Sequence, residues 1–138
     1  SAYDPLMAEI NSVLTKMSLE LGYAKDQALR VTSMWSIINP PGNGNRAHVH
    51  PNSLWSGVYY LQAPENAGKI EFIDPRVVII MNQPKYEAKK KRPRETWSKV
   101  NFKPIPGRMI IFPAWLYHGV DTNMSKEKGR AGDRVIIS

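Results

Sequence analysis

Residues 104–112 read Pro-Ile-Pro-Gly-Arg-Met-Ile-Ile-Phe, a turn of prolines and glycine that leads directly into a short apolar run. Proline and glycine favour turns, and an apolar run of this length has the size of a strand. The same alternation of turns and short runs extends from Arg30 to the end of the chain. It predicts strands at residues 31–38, 49–50, 55–61, 69–73, 77–81, 108–112 and 134–138. Many short strands separated by such turns are typical of an all-β sandwich or barrel.

The first residues of the chain follow a helical pattern instead. Asp4 is a favourable N-cap, Pro5 occupies the first helical position, and Gly22 is suited to end the helix. Apolar residues recur between them at helical spacing, at Leu6, Ile10, Val13, Leu14, Met17 and Leu21. We therefore predict a helix over residues 4–22 that packs on the all-β core, within a single domain of residues 1–138.

The bulk composition fits a folded chain. Its 138 residues, 42% of them hydrophobic, are enough to build a hydrophobic core. The sequence contains no apolar run as long as a membrane span, no secretory signal and no cysteine. We expect a cytoplasmic protein without a membrane partner, because a reducing compartment favours proteins that need no disulfides.

The net charge of +7 is concentrated in one stretch, residues 85–94, which we call the basic segment. Its six cations are Lys85, Lys89, Lys90, Lys91, Arg92 and Arg94. Glu87 and Glu95 lie among or beside them, so a solvated insertion or loop over residues 82–104 is the favoured interpretation. The alternative is a patch that attracts nucleic acid or another acidic partner. It is not favoured, because no aromatic RNA-binding motif accompanies the charges.

All three histidines lie in two short stretches, His48 and His50 in residues 46–52 and His118 in residues 113–120. Residues i and i+2 of a strand point to the same face, so His48 and His50 can direct two imidazoles at one point. In a jelly roll, strands distant in sequence meet at the barrel mouth, where His118 can supply a third. Imidazole binds iron, zinc, copper and nickel, so this set predicts a metal site without selecting the metal. The alternative is three unrelated histidines satisfied by hydrogen bonds.

Two longer stretches surround these histidines. The first contains Pro-Gly-Asn-Gly at 41–44, His-Val-His-Pro-Asn-Ser at 48–53 and Ser-Gly-Val-Tyr-Tyr-Leu at 56–61. The second contains Pro-Gly-Arg-Met-Ile-Ile-Phe-Pro at 106–113, His-Gly-Val at 118–120 and Arg-Val-Ile-Ile-Ser at 134–138. Together they resemble the proximal and distal halves of Fe(II)/2-oxoglutarate oxygenases. The resemblance covers about residues 31–138, except the basic segment. It is closest to a bacterial and phage group of the prolyl-hydroxylase-like superfamily that carries the same His-x-His-Pro-Asn-Ser motif.

This resemblance implies a double-stranded β-helix (jelly roll) and a dioxygenase that uses Fe(II) and 2-oxoglutarate to hydroxylate its substrate. His48 and His118 correspond to two metal ligands, and Tyr60 to the tyrosine at the tail of 2-oxoglutarate. Arg134 corresponds to the arginine that pairs with the distal carboxylate, for which a planar guanidinium is well shaped. Arg130 is the alternative to Arg134, although it lies in a glycine-rich loop.

One position departs from the usual pattern of the superfamily, which has His-x-Asp where this chain has His48-Val-His50. His50 is a third ligand, or a carboxylate such as Asp121 or Asp74 completes the site, or iron binding is impaired. The group with the same motif carries the second histidine as its own pattern, so the resemblance favours His50 as a ligand.

Several neighbouring residues have two interpretations. A register shift of one residue would exchange Tyr60 for Tyr59. Hydrogen bonds to the co-substrate or substrate are candidate roles for Asn39 and Asn52. The tryptophans Trp55 and Trp115 are candidates for the pocket wall. Ordinary roles in turns and in the core are favoured for these two asparagines and two tryptophans.

Two other functions fit the same residues. A cupin-like metalloenzyme would bind its substrate directly on the three histidines without 2-oxoglutarate, and Arg134 would then not affect turnover. A non-enzymatic β-barrel module would bind an acidic partner through the basic segment and would not need the histidines. Nothing in the sequence selects a substrate or an oligomeric state.

Overall fold

The computed structural model describes residues 2–76, 78 and 81–138. The chain forms two compact units, Ser1–Met34 and Trp35–Ser138. Helix α1, Asp4–Glu20, lies in the first unit. Its N-cap is Tyr3, so the prediction of Asp4 as the N-cap is wrong; Asp4 is the first helical residue, where the helix dipole favours its carboxylate. Gly22 follows the helix with a φ of 70°, a conformation that glycine adopts at little cost.

The second unit contains two four-stranded antiparallel sheets. The first has the order β1 (Ser36–Asn39), β8 (Arg134–Ile137), β3 (Trp55–Gln62), β6 (Met109–Pro113). The second has the order β2 (Asn45–His48), β7 (His118–Val120), β4 (Ile70–Ile73), β5 (Lys99–Phe102). Consecutive strands therefore change sheet at each connection except the one from β4 to β5. The prediction of an all-β core preceded by a helix is confirmed for the described residues.

Side chains from both sheets form one core. It contains Val58, Tyr60, Phe112 and Ile136 from the first sheet and Ile70 and Phe72 from the second. The Phe72 ring centroid lies 4.8 Å from that of Phe112. Because alternate residues of a strand face opposite sides, Ile70 and Phe72 point inward and Glu71 points outward, where it pairs with Lys99 at 2.8 Å. The inner faces of the two sheets are thus joined by apolar packing.

Most predicted strands are confirmed, and the exceptions have physical causes. Residues 55–61, 69–73, 108–112 and 134–138 correspond closely to β3, β4, β6 and β8. The strand predicted at 31–38 begins only at Ser36. The strand predicted at 49–50 is wrong, because β2 ends at His48 and Pro51 and Asn52 (φ 63°) then turn the chain away.

The strand predicted at residues 77–81 is not observed either. Val77, Ile79 and Ile80 lie outside the described residues, whereas Val78 and Met81 are helical. A run of five apolar residues has no period that separates a strand from a buried helical turn. Strands β5 and β7 were not predicted. All four residues of β5 are exposed, and it lies within residues 82–104, the stretch predicted to be an insertion.

We expect the substitution Phe72→Ala to lower the free energy of unfolding by roughly 3–5 kcal/mol, because it removes a buried ring and leaves a cavity. Phe102→Ala is the matched control, since the Phe102 side chain is 40% exposed and should cost much less. Urea denaturation followed by tryptophan fluorescence measures both. Equal losses for the two variants would contradict the placement of the core at Phe72.

Candidate metal centre

The pairing of β2 with β7 brings two of the three histidines together. His48 and His118 are direct partners in this antiparallel ladder, and their ring centroids are 4.5 Å apart. Gly119 allows the strands to approach closely, because a Cβ at this position would lie 3.2 Å from the backbone of Ala47. On its other side β7 pairs with β4, where His118 lies opposite Phe72. The pairing of two strands, with a register shift between Asn45 and His48, therefore sets the separation of these two imidazoles.

His50 reaches the same point from the turn after β2. Its backbone N–H donates to the Ala114 carbonyl at 2.9 Å, which ties this turn to the connection between β6 and β7. Its Nε2 lies 3.2 Å from Nε2 of His118. One ring nitrogen from each of His48, His50 and His118 lies within 4.8 Å of the others. Within the described part of the chain, this histidine cluster is the only group of three or more side chains arranged to hold a metal ion.

Hydrogen bonds to carbonyls fix the tautomers of two imidazoles. Nδ1 of His48 lies 2.7 Å from the Arg46 carbonyl, and Nδ1 of His118 lies 2.8 Å from the Leu116 carbonyl. A carbonyl oxygen only accepts, so each Nδ1 carries the proton and each Nε2 keeps its lone pair. In the metal-free protein His50 can donate its Nε2–H to His118, and a metal ion would take the place of that proton. Second partners of this kind orient metal-binding imidazoles in proteins.

The surroundings of His50 and His118 lower the pKa of both side chains and so favour their neutral form, which can bind a metal ion. Burial lowers the pKa of His118; the hydrogen bond to Leu116 opposes this shift, and the other two histidines add to it. Burial also lowers the pKa of His50, and His48 lowers it further. Because protons compete with metal ions for the same lone pair, a lowered pKa extends metal binding to more acidic solution.

Neither carboxylate considered as a substitute for His50 belongs to the cluster. Asp74 accepts hydrogen bonds from Arg76, which lower the pKa of Asp74 to about 2. Asp121 lies beyond the end of β7 with its side chain exposed. Among the described residues, the third potential metal ligand beside His48 and His118 is therefore a ring nitrogen of His50.

Arg134, at the start of β8, lies inside the protein with only 1% of its surface exposed. Its guanidinium donates to the Ala67 carbonyl, to the Asp121 carbonyl at 3.1 Å and to Oδ1 of Asn39 at 3.1 Å. These are neutral oxygens, and no carboxylate of a described residue forms an ion pair with it. Burial lowers the pKa of Arg134, while Tyr60 and Asp121 oppose that shift. A buried cation without an ion pair is costly, so an anion that reached the guanidinium would stabilise it.

Tyr60 is the second polar side chain in this region. It is 1% exposed and lies opposite Ile136, two residues from Arg134 along β8. Burial raises the pKa of Tyr60, and the nearby cations Arg134 and Arg108 oppose that rise. No described residue hydrogen-bonds its hydroxyl, whereas polar groups inside proteins usually have partners. The hydroxyl therefore keeps its hydrogen-bonding capacity among the described residues.

The other predicted site residues lie elsewhere. Arg130 is exposed, and it contributes only its carbonyl, which accepts from Gln62 at 2.7 Å. Asn39 binds Arg134 through its side chain, so it holds the arginine in place. Asn52 lies in the turn after β2, where it adopts a φ of 63°. Trp115 is 62% exposed, so the core interpretation is wrong for this residue.

Two residues of the Arg134 surroundings were missed by the sequence interpretation. Asn123 is fully buried, and its Nδ2 donates to the Asn39 carbonyl at 2.9 Å and the Gly132 carbonyl at 2.8 Å. It thereby joins the end of β1 to the loop that enters β8. Gly68 has a φ of 87°, and a Cβ there would lie 2.8 Å from Nη1 of Arg134. An asparagine and a glycine in turn-rich loops gave no signal that would separate them from ordinary turn residues.

Comparison with known protein families gives a match over most of the chain. Residues 33–132 fit the model of a protein family described as "Putative 2OG-Fe(II) oxygenase". The matched stretch includes the histidine cluster and Tyr60 and stops shortly before Arg134. No curated protein matches the chain. Among the helices of the described residues, none has the length and apolar character needed to cross a membrane.

We expect Co(II) to raise the thermal unfolding midpoint of the metal-free protein, because an ion that binds only the folded state stabilises it. The gain is about 2.7 kcal/mol at a concentration 100 times the dissociation constant. His118→Ala should abolish the shift, while Tyr117→Phe, which alters an exposed neighbour, should retain it. Differential scanning fluorimetry measures the midpoints. An undiminished shift in His118→Ala would show that the ion binds elsewhere.

Proposed function

Since the chain belongs to the 2OG-Fe(II) oxygenase family, we propose that it is a non-haem Fe(II)- and 2-oxoglutarate-dependent dioxygenase that hydroxylates a C–H bond of its substrate. Within the family we place it in the bacterial and phage group with the His-x-His-Pro-Asn-Ser motif. The observation that carries the proposal is the joint presence of a three-imidazole cluster and a buried arginine without an anionic partner.

We propose that the two sheets form a double-stranded β-helix in a single domain of residues 1–138, in which residues 82–104 carry the basic segment and β5. The strand orders β1-β8-β3-β6 and β2-β7-β4-β5 support this, because nearly every connection crosses from one sheet to the other. A jelly roll is built from such crossing connections. Its interior is lined by the residues of alternate strand positions, among them His118, Phe72 and Tyr60.

The residues present fit Fe(II). His48, His50 and His118 would hold it through their Nε2 atoms, since imidazole is a suitable iron ligand and carbonyls already orient two of the rings. Without a carboxylate ligand, the centre is one unit more positive than the usual triad. That difference favours binding of a dianionic co-substrate.

The residues also fit 2-oxoglutarate. Arg134 would pair with the distal carboxylate, and the unpartnered Tyr60 hydroxyl would donate to it. Asn39 would act indirectly, by holding the guanidinium. Asp121, whose carbonyl binds Arg134, follows His118 by three residues, roughly 10 Å at about 3.3 Å per strand residue. A five-carbon dicarboxylate is of the right order of length to bridge the two ends.

When bound, Fe(II) would activate oxygen, which takes two electrons from 2-oxoglutarate as the keto acid becomes succinate and carbon dioxide, and two from the C–H bond that is hydroxylated. The chain's own contribution is to hold and orient. The histidine cluster would hold the ion, and Arg134 would hold the far end of the co-substrate. Phe72 and Phe112, whose rings contact His118 at centroid distances of 6.0 and 4.6 Å, keep water away behind the ligand.

A cupin-like metalloenzyme is the second candidate, because an all-histidine ligand set does not require 2-oxoglutarate. It assigns no role to Arg134, whose burial without an anionic partner would then be an uncompensated cost. The two candidates differ in whether the iron centre binds a keto acid.

We expect anaerobic addition of Fe(II) and 2-oxoglutarate to the metal-free protein to produce the visible charge-transfer band of an iron–keto-acid chelate. His118→Ala should give no band. Arg134→Met should need roughly 10- to 150-fold more 2-oxoglutarate, because a hydrogen bond to a charged group contributes about 1.5–3 kcal/mol. Arg130→Met is the matched control, since it removes an exposed arginine from the neighbouring loop.

The outcomes separate the candidates. Iron binding without the band would favour the cupin-like enzyme. Failure to bind iron at all would contradict both enzymes and leave a binding module. An equal effect of Arg130→Met and Arg134→Met would show that Arg134 does not bind the co-substrate.

We expect Asn123→Ala to raise the 2-oxoglutarate concentration needed for half of the band several-fold, with unchanged iron affinity. The substitution releases the end of β1 and the loop before β8, and so loosens the position of Asn39 and Arg134. The exposed Asn101→Ala on β5 is the control. Spectroscopic titrations with each component in turn measure the two affinities. A parallel loss of iron affinity would indicate general unfolding instead of a positioning role.

A further inference from the structure

The basic segment presents cations that the protein does not neutralise. Five of its six cations are exposed, and Arg92 is half-buried. Among the described residues only one of these cations forms an ion pair, Lys90 with Glu87 at 3.1 Å. Lys85, Lys89, Lys91 and Arg94 have no anionic partner in the described part of the chain. Repulsion among close like charges opposes such a grouping, so an external anion would stabilise it.

The segment is a folded platform and not an extended tail. The Arg92 guanidinium lies 3.9 Å above the Tyr86 ring centroid, and it donates to the Thr96 carbonyl and to Gln83. The Trp97 indole N–H donates back to the Arg92 carbonyl at 3.1 Å. Arg92 thus serves the structure of the segment, while the exposed lysines are held around it.

Hydrogen bonds anchor this platform at the end of the second sheet that carries the histidine cluster. The chain leaves β4 and returns to β5 where the Asp74 N–H donates to the Ser98 carbonyl at 2.8 Å. The preceding residue, Ile73, donates its N–H to the Tyr117 carbonyl at 2.8 Å. Tyr117 immediately precedes His118. Both ends of the connection that carries the basic segment therefore lie beside the histidine cluster.

Exposed aromatic rings stand around the same end. Trp35, Trp115 and Tyr117, which we call the aromatic rim, are 44%, 62% and 44% exposed. The Trp35 ring lies 6.3 Å from the His50 ring, and the Ala114 carbonyl that binds His50 directly precedes Trp115. Trp115 and Tyr117 lie in the connection that leads to His118, and Trp35 lies beside His50; exposed aromatic side chains at such a place often mark a binding surface.

From these two features we propose that the substrate bound at this metal centre is a single-stranded nucleic acid. The unpaired lysines of the basic segment contact its phosphates, and the aromatic rim stacks its unpaired bases next to the histidine cluster. Cations that follow a backbone and flat rings that stack bases are the two parts of single-strand binding sites. An acidic peptide would use the cations alone, and a duplex would not offer its bases for stacking. The proposal rests on the proposed function, because it names the substrate of that site.

Fluorescence anisotropy of labelled oligonucleotides with the full chain tests the proposal. We expect a mixed-sequence single strand, of DNA or RNA, to bind more tightly than the same duplex and than polyglutamate. Trp115→Ala should weaken single-strand binding about 5- to 150-fold, the range for loss of one stacked base. Lys89→Gln combined with Lys91→Gln should reduce the slope of log affinity against log salt by about 1.4, or about 0.7 for each lost phosphate contact.

The control is Lys126→Gln combined with Lys128→Gln, which removes the same charge from exposed positions outside the basic segment. Equal effects of the two double variants would reduce the binding to nonspecific charge attraction and overturn the proposal. Polyglutamate or duplex binding as tight as single-strand binding, or no effect of Trp115→Ala, would also overturn it. The iron–keto-acid band is recorded for every variant. A retained band with no nucleic acid binding rejects only the substrate class, and binding without the band rejects only the oxygenase.

Discussion

The antiparallel pairing of β2 with β7 is the constraint on which the candidate site depends. It sets His48 directly opposite His118, and the missing side chain of Gly119 lets the two strands lie close together. The backbone also fixes the tautomers of His48 and His118, because Nδ1 of each ring donates to a nearby backbone carbonyl. Only His50 comes from a turn. Ligands that are held by a ladder keep their geometry better than ligands on free loops.

At the other end of the interior, the buried polar side chain is the cation Arg134, in contrast to the imidazoles of the histidine cluster. Arg134 gives up its hydration for two carbonyls and an amide oxygen, which satisfy its hydrogen bonds without cancelling its charge. Asn123 connects the loops that provide this environment and has its own polar atoms fully engaged. The apolar core around Phe72 lies between the two sheets. These sheets carry the histidine cluster at one end and Arg134 at the other. This polarity, with lone pairs at one end and a cation at the other, is what the oxygenase proposal uses.

Much of this arrangement could be predicted from the sequence, but not always for the right reason. The histidine cluster was predicted from the spacing of His48 and His50 within a strand, whereas His50 converges because a hydrogen bond to Ala114 holds the turn. Arg134 was identified from the resemblance to the oxygenases, and in the structure it is buried on the same face of β8 as Ile136. Its partners were not identified, since backbone carbonyls such as that of Ala67 have no signature in a sequence. β5, Lys99-Val100-Asn101-Phe102, alternates polar and apolar residues, but a run of only four residues next to the basic segment was too short to stand out as a strand.

Because β7 is short, the proposed site would restrict which keto acids it binds. One three-residue strand carries His118, and the carbonyl that follows it holds Arg134. In the proposed oxygenase site, this short strand would limit how far the separation between the imidazoles and the guanidinium adjusts to a shorter keto acid. Pyruvate has no second carboxylate for Arg134, and the four-carbon oxaloacetate would reach one end only. Discrimination among the common keto acids of metabolism would then be enforced by the backbone, before any side chain contributes to it.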